Sequence, residues 1–236
     1  YDLTKDATND EGFGLKRTYF TYEETLSENL SYKFQTEIGQ FESINGFIIY
    51  LKNAKIDWKL PGSSFGKITL GLQGMNIFNV SEKTWGFRFL EKSAMDINKF
   101  SSSADMGIGY SGKFNNLNYS FMYTNGSGYK SSENDKHKKI SAQFVYGQKN
   151  LSKKDGFNIG SSFSIEPFDW HNVLDIPPAD EEIDLDIITD KKNRTLMAFY
   201  GGYSGNGLRI GGEFDTYTYI DDYGYDITEQ IIAGYV

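Results

Sequence analysis

With 236 residues, no cysteine and a formal charge of −8, the chain excludes a disulfide framework and thiolate metal sites, and its acidity argues against nucleic acid as a partner. The hydrophobic fraction, 39%, is low for a globular domain, although 16% of the residues are aromatic. No stretch approaches the ~18–20 apolar residues of a membrane-spanning helix, which rules out a helical membrane protein and leaves a membrane β-barrel open.

Residues 1–12 are polar and charged and read as a loop, followed by a strand over 13–24. A polar turn leads to a strand over 30–38, with Tyr32, Phe34 and Ile38 opposite Ser31, Lys33, Gln35 and Glu37. Residues 39–46 read as a loop. The long strand 47–60 sets Ile48, Tyr50, Ala54, Ile56 and Trp58 against Asn53, Lys55, Asp57 and Lys59, and Pro61-Gly62 turns it. In 66–73, Ile68, Leu70 and Leu72 alternate with Lys67, Thr69 and Gln73. A long interruption over 74–102 contains Leu90, Ala94 and Ile97, spaced four and three apart, which predicts a short amphipathic helix over 89–100.

The clearest pattern lies at 103–125. Met106, Ile108, Tyr110 and Phe114 oppose Gly107, Gly109, Ser111 and Lys113. Asn115-Asn116 turns the chain, and Leu117, Tyr119, Phe121 and Tyr123 then oppose Asn118, Ser120 and Thr124. Period-two alternation closed by a turn-forming pair is a β-hairpin. A polar loop over 125–138 precedes strands at 139–146 and 156–166. A second insertion, 167–194, is rich in Asp and Glu. Strands at 195–203 and 207–217 flank Ser204-Gly205-Asn206, and a last strand runs from 227 to 236.

Strands of this length, sided in this way, predict an all-β, transmembrane, antiparallel up-and-down barrel forming one domain over 1–236. Connections after odd strands are short, and those after even strands are longer (39–46, 74–102, 125–138, 167–194 and 218–226), the asymmetry of periplasmic turns and outer loops. An even strand count with both ends in the periplasm then implies a further strand before Tyr1, and leaves the end at Val236 open. Rival readings are a barrel acting mainly as a surface adhesin and a soluble, carbohydrate-binding β-sandwich.

Several stretches resemble the bacterial outer-membrane porins related to the phosphate-selective porins. They are Glu82-Lys83-Thr84-Trp85-Gly86-Phe87-Arg88-Phe89, Glu91-Lys92-Ser93, Asp96, Ser103-Ala104-Asp105-Met106-Gly107 and Asn125-Gly126-Ser127-Gly128-Tyr129-Lys130, with Lys52–Asp57 and Ile68–Gly71 before them. The resemblance implies a water-filled channel for small hydrophilic solutes or ions, a long loop (here 74–102) folded inward to narrow it, outer-membrane lipid around it and a homotrimer. That loop mixes Lys83, Arg88, Lys92 and Lys99 with Glu82, Glu91 and Asp96, and it lacks the dense arginine ladder of an anion-selective pore.

The candidate constriction is Arg88, Glu91, Lys92 and Asp96, on one face or adjacent turns of the expected helix. The candidate pore lining is Lys33, Glu37, Lys55, Asp57, Lys59, Lys67, Lys113, Arg209, Glu213 and Asp215, since charges along a pore set ion preference, although a merely solvated face has the same composition. Trp58, Tyr50, Tyr110, Tyr123, Tyr146 and Tyr200 suit an interfacial aromatic girdle. The acidic run 175–190 has no calcium-loop spacing and reads as solvated charge. His137 and His171 have no triad partners at a telling spacing, and no glycine run precedes a helix as a phosphate loop does. No enzyme, cofactor or metal is expected.

Overall fold

The computed structural model describes residues 17–41, 44–61, 66–133, 135–170, 190–221 and 223–236. These form one antiparallel sheet of eleven strands hydrogen-bonded in sequence order. The strands are β1 (Arg17–Ser27), β2 (Leu30–Phe41), β3 (Ile44–Lys59), β4 (Lys67–Gly74), β5 (Ala104–Phe114), β6 (Leu117–Thr124), β7 (Lys139–Gly147), β8 (Gly156–Trp170), β9 (Asp190–Gly205), β10 (Leu208–Ile220) and β11 (Asp226–Tyr235). Two short helices, α1 (Ser81–Trp85) and α2 (Ala94–Ile97), lie in the connection between β4 and β5. Among the described residues β1 and β11 are the sheet edges.

The sheet is curled around that connection. Laid flat, β3 and β11 would be eight strand spacings apart, about 38 Å at ~4.8 Å each. Yet Lys92 lines one cavity with Tyr235 of β11 and another with Lys52 of β3. Only a wall bent most of the way round can bring both to one side chain. Its two faces have inverted polarity for a water-soluble protein. Ile49, Phe157, Ile159 and Phe199 point outward and are each more than half exposed, whereas Ser141, Gln143, Asn158, Ser162 and Asp215 are buried inside.

The central hairpin matches its sequence pattern, with Ile108 opposite Tyr123 and Tyr110 opposite Phe121. Elsewhere strands run further than apolar alternation does. β2 runs to Phe41 and β3 starts at Ile44, so strand takes up the described part of the loop expected over 39–46, and 42–43 lie outside the described residues. β8 and β9 continue their ladder to Trp170 and Asp190, well into the insertion expected over 167–194. Backbone pairing there continues past Ile165, the last residue of the apolar alternation, with Glu166 opposite Arg194 and Asp169 opposite Lys191. The acidic run at 175–189 and His171 lie outside the described residues.

A bulge in β3 corrects a second expectation. Gln35 pairs with Asn53 but Thr36 pairs with Leu51, leaving Lys52 extra. The insertion swaps the faces of everything before it. Trp58 and Ile56 face outward, and so do Leu51, Ile49 and Phe47, while Tyr50 turns inward against Tyr129, ring centroids 6.4 Å apart. Tyr50 therefore leaves the proposed girdle. Tyr200, 4% exposed on the inner face, leaves it too. Trp58, Tyr123 and Tyr146 remain on the outside.

Gly71 has φ +108°, and a Cβ there would collide with the carbonyl oxygen of Ala54 on β3. Gly71→Ala is expected to destabilise the fold by roughly 1–3 kcal/mol, measured by urea unfolding. The outer face provides a sharper test. Ile108→Arg is expected to cost about 2–4 kcal/mol if hydrocarbon covers that surface, but no more than ~0.5 kcal/mol if water does. Unfolding from phospholipid vesicles distinguishes the two.

Candidate functional site

The segment between β4 and β5 lies on the inner face and is held there by side chains reaching in from the wall. Asn76 Nδ2 donates to the Ser120 carbonyl (3.1 Å) and its Oδ1 accepts from Ser141 Oγ (2.7 Å). Gln143 Nε2 donates to Asn79 Oδ1 (2.9 Å), Ser162 Oγ to the Ile77 carbonyl (2.7 Å) and Asn158 Nδ2 to Thr84 Oγ1 (2.8 Å). These bonds satisfy polar groups that burial would otherwise penalise. Met75, Ile77, Phe78, Met95 and Phe100 pack with Met122, Leu196 and Ala198 as the buried apolar cluster, with Phe100 5.2 Å from the Tyr217 ring.

The single helix expected over 89–100 does not form. Gly86 (φ +72°) ends α1 in a left-handed cap, its N–H donating to the Glu82 carbonyl. Ser93 is extended (ψ 158°), so α2 starts only at Ala94. Leu90, expected on the buried face, is among the most exposed apolar residues, and Met95 and Phe100 take that place.

This geometry separates the expected constriction residues into two groups. Arg88 pairs with Asp96 (2.8 Å) and with Glu82. Glu91 turns back on its own segment, its carboxylate accepting from the Lys92 N–H (2.7 Å) and its carbonyl from Trp85 Nε1 (3.0 Å). Lys92 stands between two cavities. One, of ≈ 370 Å³, is lined by Lys52, Arg88, Lys92, Lys99 and Lys130, with Asp96 as the only acidic lining residue among the described residues. Beside it Lys52 Nζ lies 3.2 Å from Glu37, donates to Ser103 Oγ (2.7 Å) and sits 3.8 Å above the Tyr129 ring, while Tyr129 donates to Glu37 (3.2 Å).

The inner wall of β1–β4 holds most of the other candidates. Asp57 gathers Lys55 (3.0 Å), Lys67 (3.0 Å) and Thr69 (2.6 Å), and Lys33 pairs with Glu23 (2.6 Å). Of these, Glu23, Lys33, Lys55 and Asp57 border a polar space of ≈ 600 Å³ that also takes in Ser31 and Asn53. Lys59, across the ladder from Lys67, and Lys113 lie beside the turns and are exposed. Arg209, Glu213 and Asp215 lie against the inner segment rather than along open lumen. Arg209 Nη2 donates to the Leu151 carbonyl (2.9 Å), and Asp215 is fully buried.

The chain is similar to a solved structure of a loop-L8 deletion mutant of OmpT, an outer membrane protein of Vibrio cholerae, with a TM-score of 0.43, 11% identity, and coverage of 92% of this chain and 77% of that one. No family model and no curated protein matches.

Sequence reasoning overlooked Lys52, whose inward aim depends on the bulge, and the pairing of Tyr129 with Glu37 across 92 positions. Nor did it connect His137 to Asp169, now 2.8 Å apart near the ends of the long β8–β9 hairpin. Glu82 stood among the charges of the loop, but its place beside Arg88 follows only from the break at Gly86.

Burial holds the Glu82 carboxyl above its ordinary range, outweighing the pull of Arg88, with Asp96 pushing the same way and Lys83 and Lys52 opposing. The fold therefore takes up a proton on Glu82 more readily than the unfolded chain does. Its contribution to stability is present in acid and lost as pH rises through the raised value. On acidification Glu82 loses its charge before an ordinary glutamate does, freeing part of the Arg88 field. Reversal potentials in a salt gradient should move toward anions as pH falls from neutrality toward the ordinary glutamate range, and Glu82→Gln should show the shifted value already at neutral pH.

Proposed function

We propose that this chain is a pore of the bacterial outer membrane, passing small hydrophilic solutes or ions by diffusion. The observation carrying this reading is the inverted sheet, apolar outside and polar inside, with the segment after β4 folded into the enclosure and charged cavities beside it. An adhesin needs no such inner segment. A carbohydrate-binding sandwich would bury the apolar face that here lies outward.

In this mechanism the wall excludes lipid, and the β1–β4 charges keep the lumen wet. The field at the narrow part comes from Lys52, Arg88, Lys92, Lys99 and Lys130, partly offset by Glu37, Glu82 and Asp96. The balance is mixed rather than uniformly basic, which supports a general channel over a strongly phosphate-selective one.

Reconstitution into planar bilayers tests the proposal. Discrete conductance steps are expected, and a folded protein that inserts without conducting would contradict it. Arg88→Gln removes a cation beside two carboxylates and should raise cation over anion permeability by a factor of about two to five, on the scale of a ~0.5–1 kcal/mol change in a partly exposed field. Reversal potentials measure it.

A further inference from the structure

The connection after β6 also folds back onto the inner face. Asp105 stands on that face at the start of β5, 1% exposed, and its carboxylate gathers three backbone donors. They are the N–H groups of Gly126 (2.6 Å), Met106 (2.8 Å) and Gly128 (3.3 Å). Two backbone bonds flank this clamp, from Asn125 N–H to the Met106 carbonyl (2.9 Å) and from Tyr129 N–H to the Ala104 carbonyl (3.0 Å). Gly128 lies so close to Ser102, near the end of the inner segment, that a Cβ on the glycine would come within 2.8 Å of the Ser102 Cβ.

The clamp delivers Tyr129 and Lys130 to the charged cavity of ≈ 370 Å³, whose lining also takes in Ser127 and Gly128. Tyr129 reaches on to Glu37 of β2 and Tyr50 of β3. The Lys130 ammonium lies 5.1 Å from the centre of the Tyr50 ring and 5.6 Å from that of Tyr129, so the two rings hold its charge in place. Among the described residues no carboxylate pairs with Lys130, whereas Glu82 and Asp96 both offset Arg88.

We propose that residues 126–130 form a second narrowing element of the channel, in which Lys130 determines ion preference and Asp105 is the positioning residue. The inference deepens the pore reading and rests on it. Asp105 is suited to this part because one carboxylate supplies acceptors on both oxygens. Asparagine would turn an NH2 group toward a backbone N–H and leave a buried donor unsatisfied. The segment then has no reason to stay against the wall, and Lys130 leaves the cavity with it.

Bilayer currents in a salt gradient test this. Lys130→Gln should raise cation over anion permeability about twofold, the scale of one exposed charge. In an Asp105→Asn background the same substitution should change nothing further, because the two residues act as a unit. The native chain has no cysteine, so Lys130→Cys can be modified during recording with a sulfonate-bearing thiosulfonate reagent. Modification should move selectivity further toward cations and leave the native channel untouched, and it carries the test if Asp105→Asn fails to fold. Selectivity that ignores both changes at 130, or a Lys130→Gln effect of equal size in both backgrounds, overturns the proposal and leaves the pore standing. A native protein that inserts without conducting takes both readings down.

Discussion

A strand that crosses hydrocarbon must satisfy all its backbone N–H and C=O groups within the protein, because no water is there to accept or donate. This constraint accounts for the unbroken run of neighbours from β1 to β11, each strand paired with the next in sequence. It also sets the sidedness. Once the ladders are paired in order, every second side chain faces lipid and the others face the enclosure. Outward residues have only to be apolar, and on mid-strand positions they are, as Ile108, Phe121 and Phe199 show.

The inner face has the opposite task, since the segment after β4 carries its own unsatisfied backbone into the enclosure. Asn76, Asn79, Gln143, Asn158 and Ser162 meet it with hydrogen bonds, and a small apolar cluster around Ile77 and Met95 supplies burial. A soluble protein would place leucines at such interior wall positions. Here polar side chains serve because the other part of the same face, along β1–β4, remains lined by charge and open space. One wall thus holds a packed half and a wet half, and the charged residues around Arg88 and Lys52 lie at their boundary.

Much of this was legible in the chain. Alternation at 104–124 gave the hairpin, its turn and both faces, because a half-buried strand writes its environment into every second residue. Three features were hidden for definite physical reasons. The Lys52 bulge changes the face of β3 through one unpaired residue, and Tyr50 on the wrong side of it looked like a girdle tyrosine. β8 and β9 continue on backbone pairing where the alternation has ended, so Pro167 to Trp170 resembled a loop. The spacing of Leu90, Ala94 and Ile97 was helical, but Ser93 is extended, so only Ala94–Ile97 forms a helix and Leu90 stays exposed. Of the candidate site, individual charges were readable. Their grouping was not, because Glu37 with Tyr129 and Asn158 with Thr84 are contacts between residues far apart in sequence.

The chain has no native cysteine, so single cysteines can be placed along β6 and spin-labelled one at a time. Oxygen concentrates in hydrocarbon and a neutral nickel chelate in water, so their collision rates with each label report what covers that position. The account requires high oxygen access at 117, 119, 121 and 123, and low access at 118, 120, 122 and 124, in membranes of reconstituted protein. A flat profile, or one with its maxima on the even positions, would mean that lipid does not cover the apolar face.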